Sequence, residues 1–136
     1  MLRTIGVSVF IVALLLIGTA FTQTYPLPAS IKQGKEVYTA FCQNCHMADG
    51  KGQAGVFPPL AKSDYLKKPV KALIDLILKG QSGEIIVNGV KYNGQMPSQN
   101  YLTDEQIADV LNYMKNSWGN QSAISITPRL VKKMRL

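Results

Sequence analysis

Phe41-Cys42-Gln43-Asn44-Cys45-His46 narrows the reading of this chain more than any other stretch. Two thiols two residues apart, followed at once by an imidazole, form C-x-x-C-H, the attachment signature of a c-type haem. The spacing lets Cys42 and Cys45 each close a thioether bond to a vinyl arm of one porphyrin. His46 then falls beneath the iron as an axial ligand. Other uses of these residues fare worse. A thioredoxin-like redox pair wants a βαβ setting, which the surrounding pattern lacks. Zinc wants about four Cys/His-type ligands, and the chain has two cysteines and one histidine. One covalently held haem c, with its iron, is the expected cofactor.

The chain has 136 residues, which points to one domain. Its composition excludes disordered and collagen-like classes. So short a chain buries a modest core, and a fixed haem would add a large apolar body for helices to pack around. Fifteen Lys+Arg against eight Asp+Glu give a net charge of +7, which suits nucleic acid, anionic lipid or an acidic protein. The N-terminus decides among these. Arg3, the apolar run from Ile5 to Gly18, and Thr19-Ala20 read as a secretory signal peptide. Read instead as an uncleaved anchor, Ile5 to Phe21 is close to the shortest span that crosses a bilayer, about 17 residues. No cysteine follows the run, which excludes a lipoprotein. Either reading places the domain in the periplasm or otherwise outside the cytoplasm, where nucleic acid is not an expected partner. The expected layout is a signal peptide or anchor over 1–20, a linker over 21–28, a haem domain over 29–120 and a basic extension over 121–136.

Beyond the linker prolines Pro26 and Pro28, Ser30 is a fair N-cap for a helix running to Cys42. Ile31, Gly34, Tyr38 and Phe41 share one face of it. A glycine on an apolar stripe costs about 1 kcal/mol against alanine, and close approach of a second helix would justify it. After a glycine-rich loop comes Phe57-Pro58-Pro59-Leu60, where a carbonyl is placed to accept from His46 Nδ1 and set the ring's tautomer. Val70, Leu73, Ile74, Ile77 and Leu78 mark a second helix that opens after Pro69 and closes at Gly80. Asn88-Gly89 between two short apolar runs predicts a β-hairpin near 85–92. Thr103 with Gln106 forms a capping box for a third helix, whose period runs through Ile107, Val110, Leu111, Met114 and Trp118 to a stop at Gly119. Thr127-Pro128 would cap a short basic segment with Arg129, Lys132, Lys133 and Arg135, either packed back on the domain or free as a docking arm.

Tyr92-Asn93-Gly94-Gln95-Met96-Pro97 carries the second chemical feature, a methionine in a turn-rich loop locked by proline. Methionine fills core gaps more often than it binds iron. Met47 adjoins His46 and cannot reach the opposite face of a haem, Met114 lies on an apolar helix face, and Met134 is near the C-terminus. Met96 is the expected second ligand.

These motifs in this order resemble a class I cytochrome c over roughly residues 29–120. Pro59-Leu60-Ala61-Lys62-Ser63-Asp64-Tyr65-Leu66 and Asn116-Ser117-Trp118-Gly119-Asn120 are similar to the monohaem domains that accompany periplasmic dehydrogenases and copper nitrite reductases. The resemblance implies an all-α fold of three to four main helices around one haem, with Cys42 and Cys45 in thioethers and His46 and Met96 on iron. It further implies that the Pro58 carbonyl accepts from His46, that Leu60 packs on the haem, and that Gly34 and Tyr38 cross the last helix near Val110 and Tyr113. It implies an electron carrier rather than an enzyme. Two filled axial positions disfavour substrate or O₂ chemistry and favour passing single electrons, with docking to a redox partner at a basic haem-edge surface. Two alternatives stand beside this: a haem subunit fixed within a larger oxidoreductase, and a haem enzyme or sensor in which a ligand displaces Met96.

Overall fold

The computed structural model describes residues 25–135; the signal peptide or anchor and the first part of the linker lie outside them. In chain order come α1 (Leu27–Phe41), α2 (Gln43–His46), a 3₁₀ turn (Asp64–Lys67), α3 (Val70–Lys79), β1 (Ile85–Val87), β2 (Val90–Tyr92), α4 (Asp104–Met114) and α5 (Pro128–Arg135). This is the expected all-α architecture with one small antiparallel hairpin, paired Ile85 with Tyr92, Ile86 with Lys91 and Val87 with Val90. Asn88 and Gly89 both take positive φ, 51° and 79°, as the tightest hairpin turn requires. Among the described residues no helix is long and apolar enough to cross a membrane.

Helix α1 starts earlier than its caps suggest. Pro26 is its N-cap and Pro28 sits in its first turn, where a missing N–H costs nothing. Leu27 and Pro28, expected at the end of an extended linker, are therefore helical, and Ser30 is not the cap. Ser30 is buried and donates to Asp109 Oδ1 at 2.5 Å. The buried face of α1 is Ser30, Gly34, Val37 and Tyr38, whereas Phe41 is 44% exposed.

Helices α1 and α4 meet at Gly34. A Cβ added there would lie 2.0 Å from Asp109 O and 2.8 Å from Tyr113 Cβ. Only a glycine lets the two backbones touch, so the cost of placing it in a helix is offset by the packing it permits. The capping box of α4 forms as expected: Gln106 N donates to Thr103 Oγ1 at 3.2 Å, and Thr103 N donates to Gln106 Oε1 at 2.9 Å. Its other end differs from expectation. Helix α4 stops at Met114, and Trp118 takes φ 53°. That turn lays the indole against Tyr38 and Tyr113, with ring centroids 4.9 and 5.2 Å away, and its Nε1 donates to Ala48 O at 3.1 Å. Aromatic packing on the haem-motif loop outweighs one more helical turn.

The basic C-terminal segment is packed back on the domain. Val131 is fully buried in the shared core, and α5 lies against α3 and α4. Arg135 closes the end of the contact, donating to Asp104 Oδ1 at 2.8 Å and to Leu102 O at 2.8 Å. Asn112 ties the segment leading into α5 from both sides. It donates to Ile126 O and accepts from Ile126 N, each at 2.8 Å.

Candidate haem site

The end of α1 delivers Cys42, and the single turn of α2 carries Cys45 and His46. Cys42 and Cys45 are not joined in a disulfide. Burial pushes the Cys42 thiol up to about 11, with neighbouring Cys45 adding to the shift. A raised pKa is opposite to the lowered value of a reactive redox thiolate. Among the described residues no three His, Cys, Asp or Glu side chains stand together as a metal-binding set.

After His46 the chain folds back on itself. Gly52 N donates to His46 O at 3.1 Å, Leu60 N donates to Gly50 O at 2.7 Å, and Gln53 bridges to Phe57. The fold-back brings the Pro58 carbonyl to 3.1 Å from His46 Nδ1. A carbonyl oxygen only accepts, so Nδ1 carries the ring proton and Nε2 keeps its lone pair. Burial lowers the His46 pKa, partly countered by the bond to Pro58. The imidazole is therefore neutral and oriented, the state in which it ligates a metal.

Met96 is held by the end of α3. Gln81 N donates to Met96 O at 2.9 Å, and Met96 N donates to Gln81 O at 2.8 Å. Ser98 Oγ donates to Leu78 O at 2.6 Å, and Gln99 N donates to Ile77 O at 2.8 Å. Gly80 makes this possible: at φ 76°, an added Cβ would sit 2.4 Å from Met96 O. Sequence reading takes Gly80 as a helix stop and Gln81 as nothing in particular. Their task of clamping the Met96 loop has no local signature, because the partner lies fifteen residues on.

All six expected site residues line one cavity: Cys42, Cys45, His46, Pro58, Leu60 and Met96. The walls are apolar, from Leu73, Ile77, Val87, Val110 and Leu111 among others. No Lys, Arg, Asp or Glu side chain lines it among the described residues. Lining residues that also meet solvent, including Phe41, Cys45, Val56 and Gln95, mark the mouth. Met114 lines the cavity too, from the core side of α4. A large flat apolar group with paired thiol attachment and an imidazole beneath it fits this space.

Comparison with known proteins agrees with the geometry. The cytochrome c family model matches residues 31–118. The chain is 41% identical over 110 residues to cytochrome c-552 of Thermus thermophilus, covering 75% of this chain and 83% of that protein. It is 30% identical over 115 residues to the cytochrome c subunit of the quinone alcohol dehydrogenase of Gluconacetobacter polyoxogenes, covering 75% of this chain and 22% of that subunit. It is 29% identical over 127 residues to the gluconate 2-dehydrogenase cytochrome c subunit of Pantoea cypripedii, covering 86% of this chain and 28% of that subunit. With the motif, the cavity and the fold in agreement, the chain belongs to the cytochrome c family of covalent haem proteins that carry electrons.

Proposed function

We propose that the protein is an exported carrier of single electrons whose iron is held between His46 and Met96, with Cys42 and Cys45 bonded to the porphyrin edge. When bound, the haem supplies a one-electron couple at iron. The chain's residues do the rest. Pro58 keeps the His46 ring turned and its Nε2 bare, the outer-shell task around a metal-bound imidazole. Gln81 and Gly80 hold the Met96 loop over the same cavity. The apolar wall restricts water, which together with a thioether ligand favours a higher potential. Two protein ligands leave iron no open position, so the design suits electron passage rather than substrate turnover. The observation that carries the reading is the meeting of His46, held at 3.1 Å from the Pro58 carbonyl, and a tethered Met96 in one apolar cavity.

Redox partners meet the protein at the cavity mouth, where Phe41 is 44% and Val56 is 42% exposed. Because no Lys, Arg, Asp or Glu among the described residues lines the cavity, the lysines act from outside it. They speed the encounter with an acidic partner more than they hold the complex. Relatives named as cytochrome c subunits of dehydrogenases support a second reading, a haem subunit fixed in a larger oxidoreductase.

Two substitutions separate the ligand candidates. Met96→Ala in the haem-loaded protein should abolish the weak long-red band of methionine-ligated ferric haem, lower the potential and admit CO to the reduced form. Met114→Leu should leave all three unchanged, at a cost in stability below about 1.5 kcal/mol. The reverse pattern would move the ligand to Met114. Ready CO binding by the unaltered protein would sink the carrier reading in favour of an open-site enzyme or sensor.

A further inference from the structure

Three consecutive residues after α4 meet the loop that follows His46. Trp118 Nε1 donates to Ala48 O at 3.1 Å, and its ring lies against Gly50. Gly119 faces the stem of Lys62, where an added Cβ would come 2.9 Å from Lys62 Cε. Asn120 Nδ2 donates to Leu60 O at 2.8 Å and to Met114 O at 2.9 Å, so one amide joins the loop to the end of α4. Trp118 reaches its place at φ 53°, in a region that residues other than glycine seldom enter. From α1, Tyr38 OH adds a bond to Met47 O at 2.7 Å.

The loop held in this way carries the His46–Pro58 bond. Its two limbs, 47–50 and 60–62, are joined where Leu60 N and Ala61 N both donate to Gly50 O, at 2.7 and 2.8 Å. Gly52 N then donates to His46 O at 3.1 Å. The Pro58 carbonyl lies two residues before Leu60, so holding Leu60 in place limits how far that carbonyl can turn. None of the hydrogen bonds from Trp118 and Asn120 reaches His46 or Pro58. They act through the loop, gripping it on both sides of the bond.

We propose that Trp118 and Asn120 are positioning residues for the axial histidine: by pinning both limbs of the loop, they keep the Pro58 carbonyl on His46 Nδ1. The proposal rests on the reading of His46 as an iron ligand. A carbonyl that accepts from Nδ1–H makes the imidazole a more basic ligand, and a more basic ligand favours ferric iron. A loop free to open weakens that bond and raises the reduction potential. A clamp that served stability alone would leave the potential where it is.

The test uses the full haem-loaded chain and two variants. Trp118→Phe keeps an aromatic ring and removes the N–H; Asn120→Ala removes the donations to Leu60 and Met114. Proton NMR of the reduced form follows hydrogen exchange at His46 Nδ1. Exchange should quicken about threefold in Trp118→Phe, whose lost bond is exposed, and about tenfold in Asn120→Ala, whose bonds are half-buried. The potential should rise in the same order. Thr103→Ala, which lowers the denaturant midpoint from the far end of α4, should move neither. Variants that lose stability but keep the parent's exchange rate and potential overturn the proposal. A potential that falls also overturns it, because the loop would then act by excluding water. The same spectra check the ligand reading: in the oxidised parent, iron should displace the His46 ring resonances far from their usual range. Their absence overturns the ligand reading and the proposal together, whereas their presence beside unmoved variants overturns the proposal alone.

Discussion

Two glycines show how single residues set this site. Gly34 and Gly80 each stand where a Cβ would strike a carbonyl oxygen, at 2.0 Å from Asp109 O and 2.4 Å from Met96 O. At Gly34 the obstacle is helix backbone, which cannot step aside as a flexible side chain can. Gly34→Ala should therefore destabilise the protein by about 3 kcal/mol, the upper end of the overpacking range, despite alanine's better helix propensity. A denaturant midpoint equal to or above that of the parent protein would show that α1 and α4 separate at little cost. His46 presents a different logic. The proposed task of holding iron needs one ring nitrogen protonated and the other bare, and the Pro58 carbonyl favours that choice without a second titratable group.

Elements differ in how far local rules governed them. The first turn of α4 was written into the sequence. Thr103, Gln106, Asp104 and Glu105 supply a side-chain cap and the charges that suit a helix N-terminus. Thr103→Ala should cost about 1 kcal/mol, read as a drop in denaturant midpoint with the haem spectrum unchanged. The hairpin follows local rules as well, because Asn88-Gly89 takes its left-handed turn more readily than other pairs. The start of α1 and the end of α4 did not follow from local signals. Pro26 and Pro28 read as linker, yet Pro26 caps α1 and Pro28 lies in its first turn, where Ser30 is buried against Asp109. Trp118 continues the helical period on paper, yet its ring gains more by packing on Tyr38 and Tyr113.

At the scale of the molecule, a buried polar network joins the two ends of the described chain. Tyr25 and Ser30 donate to Asp109, Asn112 donates to Ser30 Oγ at 2.8 Å, and Asn112 pairs with both backbone groups of Ile126. Asn112→Ala leaves the buried Ile126 N–H and carbonyl without partners. At about 1–3 kcal/mol for each orphaned group, the loss should lower the denaturant midpoint more than the cap variant does. The network also sets an alkaline limit. Burial, and then the bond to Asp109, push the Tyr25 phenol up to about 12 from 10.0. The folded protein thus keeps a proton that the unfolded chain releases. The resulting stability is whole below about pH 10 and is lost as pH rises through about 12. Buried Tyr38 is shifted in the same direction. Denaturant midpoints should be level at neutral pH and fall from about pH 10 upward, with a shallower fall in Tyr25→Phe; a level profile past pH 11 would show that Tyr25 ionises freely.

The haem site was legible in the sequence to the extent that its chemistry is carried by neighbours in the chain. C-x-x-C-H places two thiols and an imidazole within five residues, and Met96 stands out by its loop. The periods of α3 and α4 likewise mark the walls that burial later closes. What only tertiary structure decided are the contacts between distant segments: Gly80 and Gln81 on Met96, Trp118 on the haem-motif loop, and α5 laid back on α3 and α4. A repeat of apolar residues states that a face is buried but not which surface buries it. That surface is chosen by shape and by the need of each buried polar group for a partner, and neither is written in local spacing.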